Sequence, residues 1–141
     1  MEKCMLRFAN LAVILVTLVI GSNSALSQTL EEKFASQGHP AVAIKELLNF
    51  DNSSSLKFNF EQIRTAGNMT YFSDNTMKLI IEEPRHREIN GVWRIEDEYT
   101  ICREYGNTGR EFCARYYKSG DSTYREFRPD GSFVGDHERV D

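Results

Sequence analysis

The 141-residue chain is 40% hydrophobic and carries a net charge of −4. That length suits one ordinary domain. The acidic balance, which persists without residues 1–27, argues against nucleic acid or an anionic membrane surface as the main partner, because both attract basic proteins.

Residues 1–27 have the composition of a secretory signal peptide. Lys3 and Arg7 precede an apolar stretch from Leu11 to Ile20, and Ala25-Leu26-Ser27 supplies the small residues of a cleavage site. The apolar stretch is too short to span a bilayer. We therefore expect cleavage before Gln28, with cleavage after Ala25 as the alternative. The mature protein would have no membrane span and would be periplasmic or secreted.

Residues 28–55 form a predicted N-terminal helical segment followed by a linker. Thr29 and Glu32 fit a capping box for a short helix in "TLEEKFAS". Pro40 stands where the first turn of a second helix, "PAVAIKELLNF", would begin. The polar stretch 51–55 is predicted to be the linker.

Residues 56–141 show the pattern of an antiparallel β domain. Apolar residues recur with a period of two, and turn residues separate the runs at short intervals, as in a sandwich or barrel. The predicted fold is mainly β, an antiparallel up-and-down meander closing into a small barrel, with one or two short N-terminal helices. The predicted strands are 56–60, 69–73, 76–83, 87–95, 99–105, 110–118, 122–128 and 132–138.

Each predicted turn also fixes which residues face each other in a hairpin, because the numbers of facing residues have a constant sum. A three-residue loop after the fourth strand pairs Trp93 with Ile101. A two-residue turn at Gly120-Asp121 pairs Arg115 with Glu126 on the outer face. The inner face would then hold Trp93, Phe112, Ala114, Tyr116 and Phe127.

The two cysteines that follow the predicted signal peptide are expected to form a structural disulfide. A turn centred on Asn107-Thr108 places Cys102 directly opposite Cys113, and facing Cα atoms are about 4.5 or 5.5 Å apart, within reach of a disulfide. An oxidising compartment favours the bridge. The spacing fits neither a Cys-x-x-Cys redox motif nor a zinc site, so no metal site is predicted.

Three arginines are predicted to point toward the aromatic face: Arg103, Arg110 and Arg125. One interpretation is that Arg103 and Arg125, with Trp93 and Tyr116, bind an anionic ligand inside the barrel. The other places the arginines at the barrel rim, with their stems on aromatic rings and their heads in water. We prefer the second, because burying an arginine is costly unless it is paired.

The sequence contains no motif for catalysis and none for a cofactor. His39, His86 and His137 are far apart and are predicted to be solvated loop residues. No nucleophile elbow, zinc-protease motif or phosphate-binding loop occurs, so no catalytic residue and no cofactor is predicted. Asn52 and Asn68 stand in Asn-x-Ser/Thr sequons, which mean glycosylation only in a eukaryotic source.

Three segments carry a resemblance to a known group of proteins. The stretches "TYFSDNTM", "GVWRIEDEYTIC" and "YREFRPDGSF", with a second cysteine in the strand after the first, resemble small exported bacterial β-barrel proteins of uncharacterised function. The resemblance spans about Asn68 to Phe133. It implies a location in the cell envelope and no particular reaction.

The function expected from these observations is that of an exported, non-enzymatic binding or interaction protein. Its partner would be an unidentified protein or small molecule. The first alternative is a small-ligand carrier with an anion-orienting arginine in a barrel cavity, and the second is an enzyme with an unrecognised site. A carrier should have an internal pocket beside an arginine, whereas an interaction protein should have a filled interior.

Overall fold

A computed structural model describes residues 28–48 and 51–140 of the chain. The predicted signal peptide, residues 1–27, lies outside the described residues. In the described ranges there are two α-helices, eight strands and one turn of 3-10 helix (Glu61–Ile63). Their bounds are α1 Leu30–Ser36, α2 Ile44–Leu47, β1 Ser54–Phe60, β2 Thr65–Tyr71, β3 Thr76–Glu83, β4 Arg87–Asp97, β5 Thr100–Tyr105, β6 Glu111–Lys118, β7 Thr123–Phe127 and β8 Phe133–Val140.

The strands form a closed antiparallel barrel in which each strand pairs with the next and β8 pairs with β1. This confirms the predicted up-and-down meander.

The residue types in the turns explain the tight connections between strands. Asn75 adopts a left-handed conformation with φ 66°, and the Asp74 carboxylate accepts a hydrogen bond from the Thr76 amide at 2.9 Å. In the β7–β8 turn, Gly131 has φ 79°.

Helix α1 lies against the outer surface of the barrel. Its predicted capping box is present: Thr29 Oγ1 accepts from the Glu32 amide at 3.1 Å, and Glu32 Oε2 accepts from the Thr29 amide at 2.9 Å. The Phe34 ring packs 5.8 Å from the ring of Phe127 and 6.4 Å from that of Tyr117, centroid to centroid. One patch of the outer face is therefore buried.

The second helix is shorter than predicted. The amide of Val42 donates to the carbonyl of Tyr116 at 2.9 Å, and the amide of Lys118 donates to the carbonyl of Pro40 at 3.0 Å. Because these bonds hold the chain extended beside β6, helix α2 has only residues Ile44–Leu47.

The N-terminal segment closes one end of the barrel. The amide of Ile44 donates to the carbonyl of Glu98, in the β4–β5 turn, at 2.9 Å. Ile44 and Leu47 are fully buried and join the core cluster of Leu56, Trp93 and other barrel residues. We call this the closed end. The opposite end, formed by the β1–β2, β3–β4, β5–β6 and β7–β8 turns, is the open end.

The predicted register between β4 and β5 is wrong by two positions. Trp93 faces Arg103, and Ile95 faces Ile101, with a β-bulge between Ile95 and Asp97. Only two residues separate these strands, not three. A shift of two positions keeps each side chain on the same face, so Trp93 still points inward and is only 5% exposed.

The predicted register between β6 and β7 is wrong by one position, and this error changes the interior. The connection has four residues, 119–122, instead of two. Tyr116 therefore faces Glu126, and Arg115 faces Phe127. A slip of one residue exchanges the faces. Glu126 points into the barrel, and Phe127 points outward, beneath α1.

Candidate ligand-binding cavity

The barrel interior contains a buried ion pair between β5 and β7. The side chains of Arg103 and Glu126 are 4% and 2% exposed, and Arg103 Nη2 donates to Glu126 Oε1. The preferred prediction, in which Arg103 lies at the rim with its head in water, is therefore wrong. Burial is tolerated because the inward-facing carboxylate supplies the opposite charge.

Two tyrosines extend the ion pair into a hydrogen-bonded network. Arg103 Nη1 donates to the Tyr116 hydroxyl at 3.0 Å and to the Tyr71 hydroxyl at 3.3 Å. Tyr116 in turn donates to Glu126 Oε2 at 3.1 Å. With His137, these side chains form a polar layer across the middle of the barrel: Tyr71, Arg103, Tyr116, Glu126 and His137.

His137 belongs to this layer because β8 carries it inward opposite Tyr124. Its predicted place in a solvated loop is wrong, since the residue is only 2% exposed. His137 Nε2 lies 2.5 Å from Glu126 Oε2, and Nδ1 has no hydrogen-bond partner among the described residues.

The network fixes the charge state of the layer. Burial by itself raises the pKa of Glu126, but the charge of Arg103 and the close contacts with Arg103 and His137 lower it well below its usual range. Burial disfavours the charged form of Arg103, yet Glu126 keeps its pKa above the ordinary value. Burial raises the pKa of Tyr116 and of Tyr71. Arg103 and Glu126 are therefore both ionised near neutral pH, between neutral tyrosines.

A cavity of about 500 Å³ lies between the polar layer and the open end of the barrel. Arg103 and Glu126 lie at its floor, and Ile63 and Phe112, at its rim, are 66% and 48% exposed. Its walls are mainly apolar and include Phe58, Phe60, Met69, Leu79, Ile81 and Tyr105.

Two inward-facing glycines leave room for aromatic rings at the cavity wall. A Cβ atom on Gly135 would lie 2.0 Å from Cδ1 of the Phe60 ring. One on Gly67 would lie 1.9 Å from the carbonyl oxygen of Ile80 and 2.9 Å from Phe58 Cζ, so it would disturb the strand pairing as well as the ring. Both positions therefore require a residue without a Cβ atom.

One hydroxyl in the cavity wall has a polar hydrogen to offer a ligand. Among the described residues, the Tyr105 hydroxyl reaches only Met69 Sδ, a weak acceptor, at 3.9 Å. Burial raises the pKa of Tyr105, so its phenol stays protonated. An acceptor atom in the cavity could therefore take a hydrogen bond for which the protein supplies only a weak partner. Arg103 Nε also has no hydrogen-bond partner among the described residues, but it is fully buried and does not face the open space.

Of the four residues predicted to bind a ligand, only Arg103 lines this cavity. Trp93 packs at the closed end, where its ring lies edge-on to Tyr71, centroids 5.8 Å apart. Tyr116 lies within the polar layer. The inward orientation predicted for Arg125 is wrong: its Nε donates to Asp136 Oδ1 at 3.0 Å on the outer face, with the side chain 43% exposed.

Sequence reasoning missed Glu126 and His137 as interior residues. The error in the β6–β7 register placed Glu126 outside, and His137 was assigned to a solvated loop although the predicted strand 132–138 includes it. Tyr124 and Glu126 must share one face of β7, and Arg125 and Phe127 the other, but this alternation alone does not decide which face points into the barrel.

The predicted disulfide between Cys102 and Cys113 is confirmed. The two residues face each other across β5 and β6, on the face opposite Arg103. Glu111 lies close to both sulfur atoms. Because the two sulfurs are bridged, they offer no thiolate to a metal ion. The disulfide therefore accounts for the close grouping of Cys102, Cys113 and Glu111.

Comparisons with known proteins gave no match to a family model, a curated protein or a solved structure. The resemblance to exported bacterial barrel proteins stays a prediction. Within residues 28–48 and 51–140, neither helix has the length and apolar character needed to cross a lipid bilayer.

Proposed function

We propose that this protein is a carrier that binds a small, largely apolar molecule in the cavity at the open end of the barrel. The observation that carries the proposal is the cavity itself: about 500 Å³, apolar walls and a buried arginine at the floor. Ligand pockets are typically about 300–1,000 Å³, with apolar walls and few polar groups. The proposal adopts the first alternative from the sequence, a small-ligand carrier, in place of the leading prediction of a binding or interaction protein.

The unequal filling of the barrel supports a carrier over a protein that acts only through its surface. Apolar side chains pack the closed half, where Ile101, Ala114 and Leu56 are fully buried. An eight-stranded barrel is just wide enough either to be filled in this way or to hold one small ligand. The open half is hollow, and Ile63 and Phe112 are exposed at its rim, where a ligand would enter.

We propose a periplasmic or extracellular location for this carrier. The composition of residues 1–27 is that of a signal peptide. The disulfide between Cys102 and Cys113 also supports export, because such bonds persist mainly in oxidising compartments.

A fluorescence titration with N-phenyl-1-naphthylamine, a neutral dye that brightens in apolar surroundings, tests the carrier function. We expect saturable binding to the wild-type protein. Leu79→Trp fills the cavity from β3 and should weaken binding by at least about ten-fold, a loss of about 1.4 kcal/mol. Ile80→Trp, on the adjacent outward-facing position, is the matched control and should bind as the wild type does. Absence of saturable binding, or equal binding by the two variants, would refute the carrier function.

A further inference from the structure

We infer that Glu126 makes the cavity selective for neutral ligands, so that the molecule bound there presents to the Tyr105 hydroxyl a neutral acceptor such as a carbonyl or ether oxygen. This inference rests on the proposed carrier function. In the carrier alternative from the sequence, an arginine orients an anionic ligand. Here the charge of Arg103 is instead paired with Glu126, a residue of the protein itself.

The charge of Arg103 is already matched inside the barrel. Both terminal nitrogens of its guanidinium reach the carboxylate of Glu126, with Nη1 3.5 Å from Oε2 and Nη2 bonded to Oε1. Tyr71 and Tyr116 occupy further positions around Nη1. Arg103 Nε has no hydrogen-bond partner among the described residues.

A negatively charged ligand would find no unmatched positive charge at the floor. Glu126 itself lines the cavity, is only 2% exposed and offsets the charge of Arg103. An anion would therefore lose its hydration there without gaining an ion pair in return. A neutral acceptor avoids most of that cost and can take the hydrogen bond of the Tyr105 hydroxyl, which lines the cavity and has only a weak acceptor within reach. Selectivity thus arises from the cost of binding the wrong ligand as well as attraction of the right one.

The other charged residues around the cavity do not alter the charge balance between Arg103 and Glu126. Glu111 and Arg128 line the rim, where both are exposed, and their opposite charges are screened by solvent. His137 contacts Glu126 from within the polar layer and is not among the residues that line this cavity.

Two dyes that share one scaffold test the inference. 1-Anilinonaphthalene-8-sulfonate differs from N-phenyl-1-naphthylamine by one sulfonate group. We expect the wild-type protein to bind the neutral dye at least about ten-fold more tightly, which corresponds to a free-energy penalty of about 1.4 kcal/mol for the sulfonate. Glu126→Gln keeps the size of the side chain and removes its charge, so it should tighten binding of the sulfonate by at least about ten-fold. Glu98→Gln removes an exposed carboxylate in the β4–β5 turn, away from this cavity, and is the matched control; it should leave the preference unchanged.

The outcomes separate this inference from the proposed function. Failure of both dyes to bind the cavity would refute the carrier function. Binding of both dyes with similar affinity, lowered in both cases by Leu79→Trp, would leave the carrier function standing and refute neutral selectivity. An unchanged preference in a folded Glu126→Gln variant would also refute the inference. If that variant does not fold, displacement of the neutral dye from wild-type protein by decanol or decanoate decides, and equal potency of the two would refute it.

Discussion

Tyr116 and Glu126 face each other across β6 and β7, and the Tyr116 hydroxyl donates a hydrogen bond to Glu126 Oε2 at 3.1 Å. This pair anchors the polar layer that divides the barrel. Toward the closed end, side chains such as Trp93 and Ile101 fill the interior. Toward the open end the cavity begins. Arg103 and Glu126, which belong to this layer, therefore contribute both to the stability of the fold and to the floor of the cavity.

Removal of the positive charge from the polar layer should strongly destabilise the protein. Arg103→Met leaves Glu126 as a buried carboxylate without its main partner, and breaking a buried pair in this way typically costs about 3–5 kcal/mol. Denaturant unfolding measures the loss. Arg94→Met is the matched control, because Arg94 pairs with Glu111 on the exposed surface; its effect should be much smaller. Equal effects of the two variants would contradict the role of the buried pair.

Acid should weaken the fold through Glu126. Because the pKa of Glu126 is lower in the folded protein than in the unfolded chain, the unfolded chain binds more protons as the pH falls. The stabilising contribution is complete above about pH 5 and is lost progressively below about pH 4.3, the ordinary value for glutamate.

The measurement is the free energy of unfolding at pH 5 and at pH 3 for the wild-type protein and for Glu126→Gln. The wild-type protein should lose about 2 kcal/mol more than the variant over this interval. Exposed carboxylates with lowered pKa values, such as Asp74 and Asp130, contribute to both proteins and cancel in the difference. Equal pH dependence in the two proteins would contradict the prediction.

The disulfide should stabilise the fold without taking part in ligand binding. Cys102 and Cys113 are 11 residues apart and face each other on the side of the strands away from Arg103. Cys113 also borders the cavity, and serine is close to cysteine in size. A Cys102→Ser/Cys113→Ser variant should lose about 2–3 kcal/mol of stability, the lower part of the usual range for a short loop. It should keep the dye affinity of the wild-type protein.

Titration of free thiols in unfolded, unreduced protein checks the bridge itself. No reactive thiol is expected from Cys102 or Cys113. Two reactive thiols per chain, or zinc released on unfolding, would show that Cys102 and Cys113 do not form a disulfide.

Trp93 should act as a packing residue of the closed end. It is 5% exposed, and its Nε1 donates to the carbonyl of Phe72 at 3.0 Å. Trp93→Ala should cost about 3–5 kcal/mol, the usual range for deletion of a large buried aromatic side chain. Trp93→Phe keeps most of the packing and should cost less. A loss below about 1 kcal/mol for Trp93→Ala would contradict a core position.

The strand count, the closed meander and the facing cysteines could all be predicted from the sequence. Alternating residues and turn signals define the strands. The β5–β6 register was right because its turn length was right: Cys102 faces Cys113, as expected. The local sequence pattern and the tertiary structure therefore agree on the number of strands, the topology of the barrel and the position of the disulfide.

The candidate site could not be predicted, because the period-two pattern assumes that only one face of a strand is buried. In β7 both Glu126 and Phe127 are buried, the first in the barrel and the second under Phe34 of α1. An outer patch covered by a helix makes the two faces indistinguishable by hydrophobicity. The length of the β6–β7 connection then decides the register, and the prediction gave it two residues where the fold has four.

The most direct test of the carrier function is a methyl NMR titration of the wild-type protein with N-phenyl-1-naphthylamine. We predict saturable shift changes at Met69, Leu79 and Ile81, which line the cavity, with little change at Ile44 and Leu47 at the closed end. Saturable changes confined to residues outside the cavity, or no saturable change at all, would contradict it.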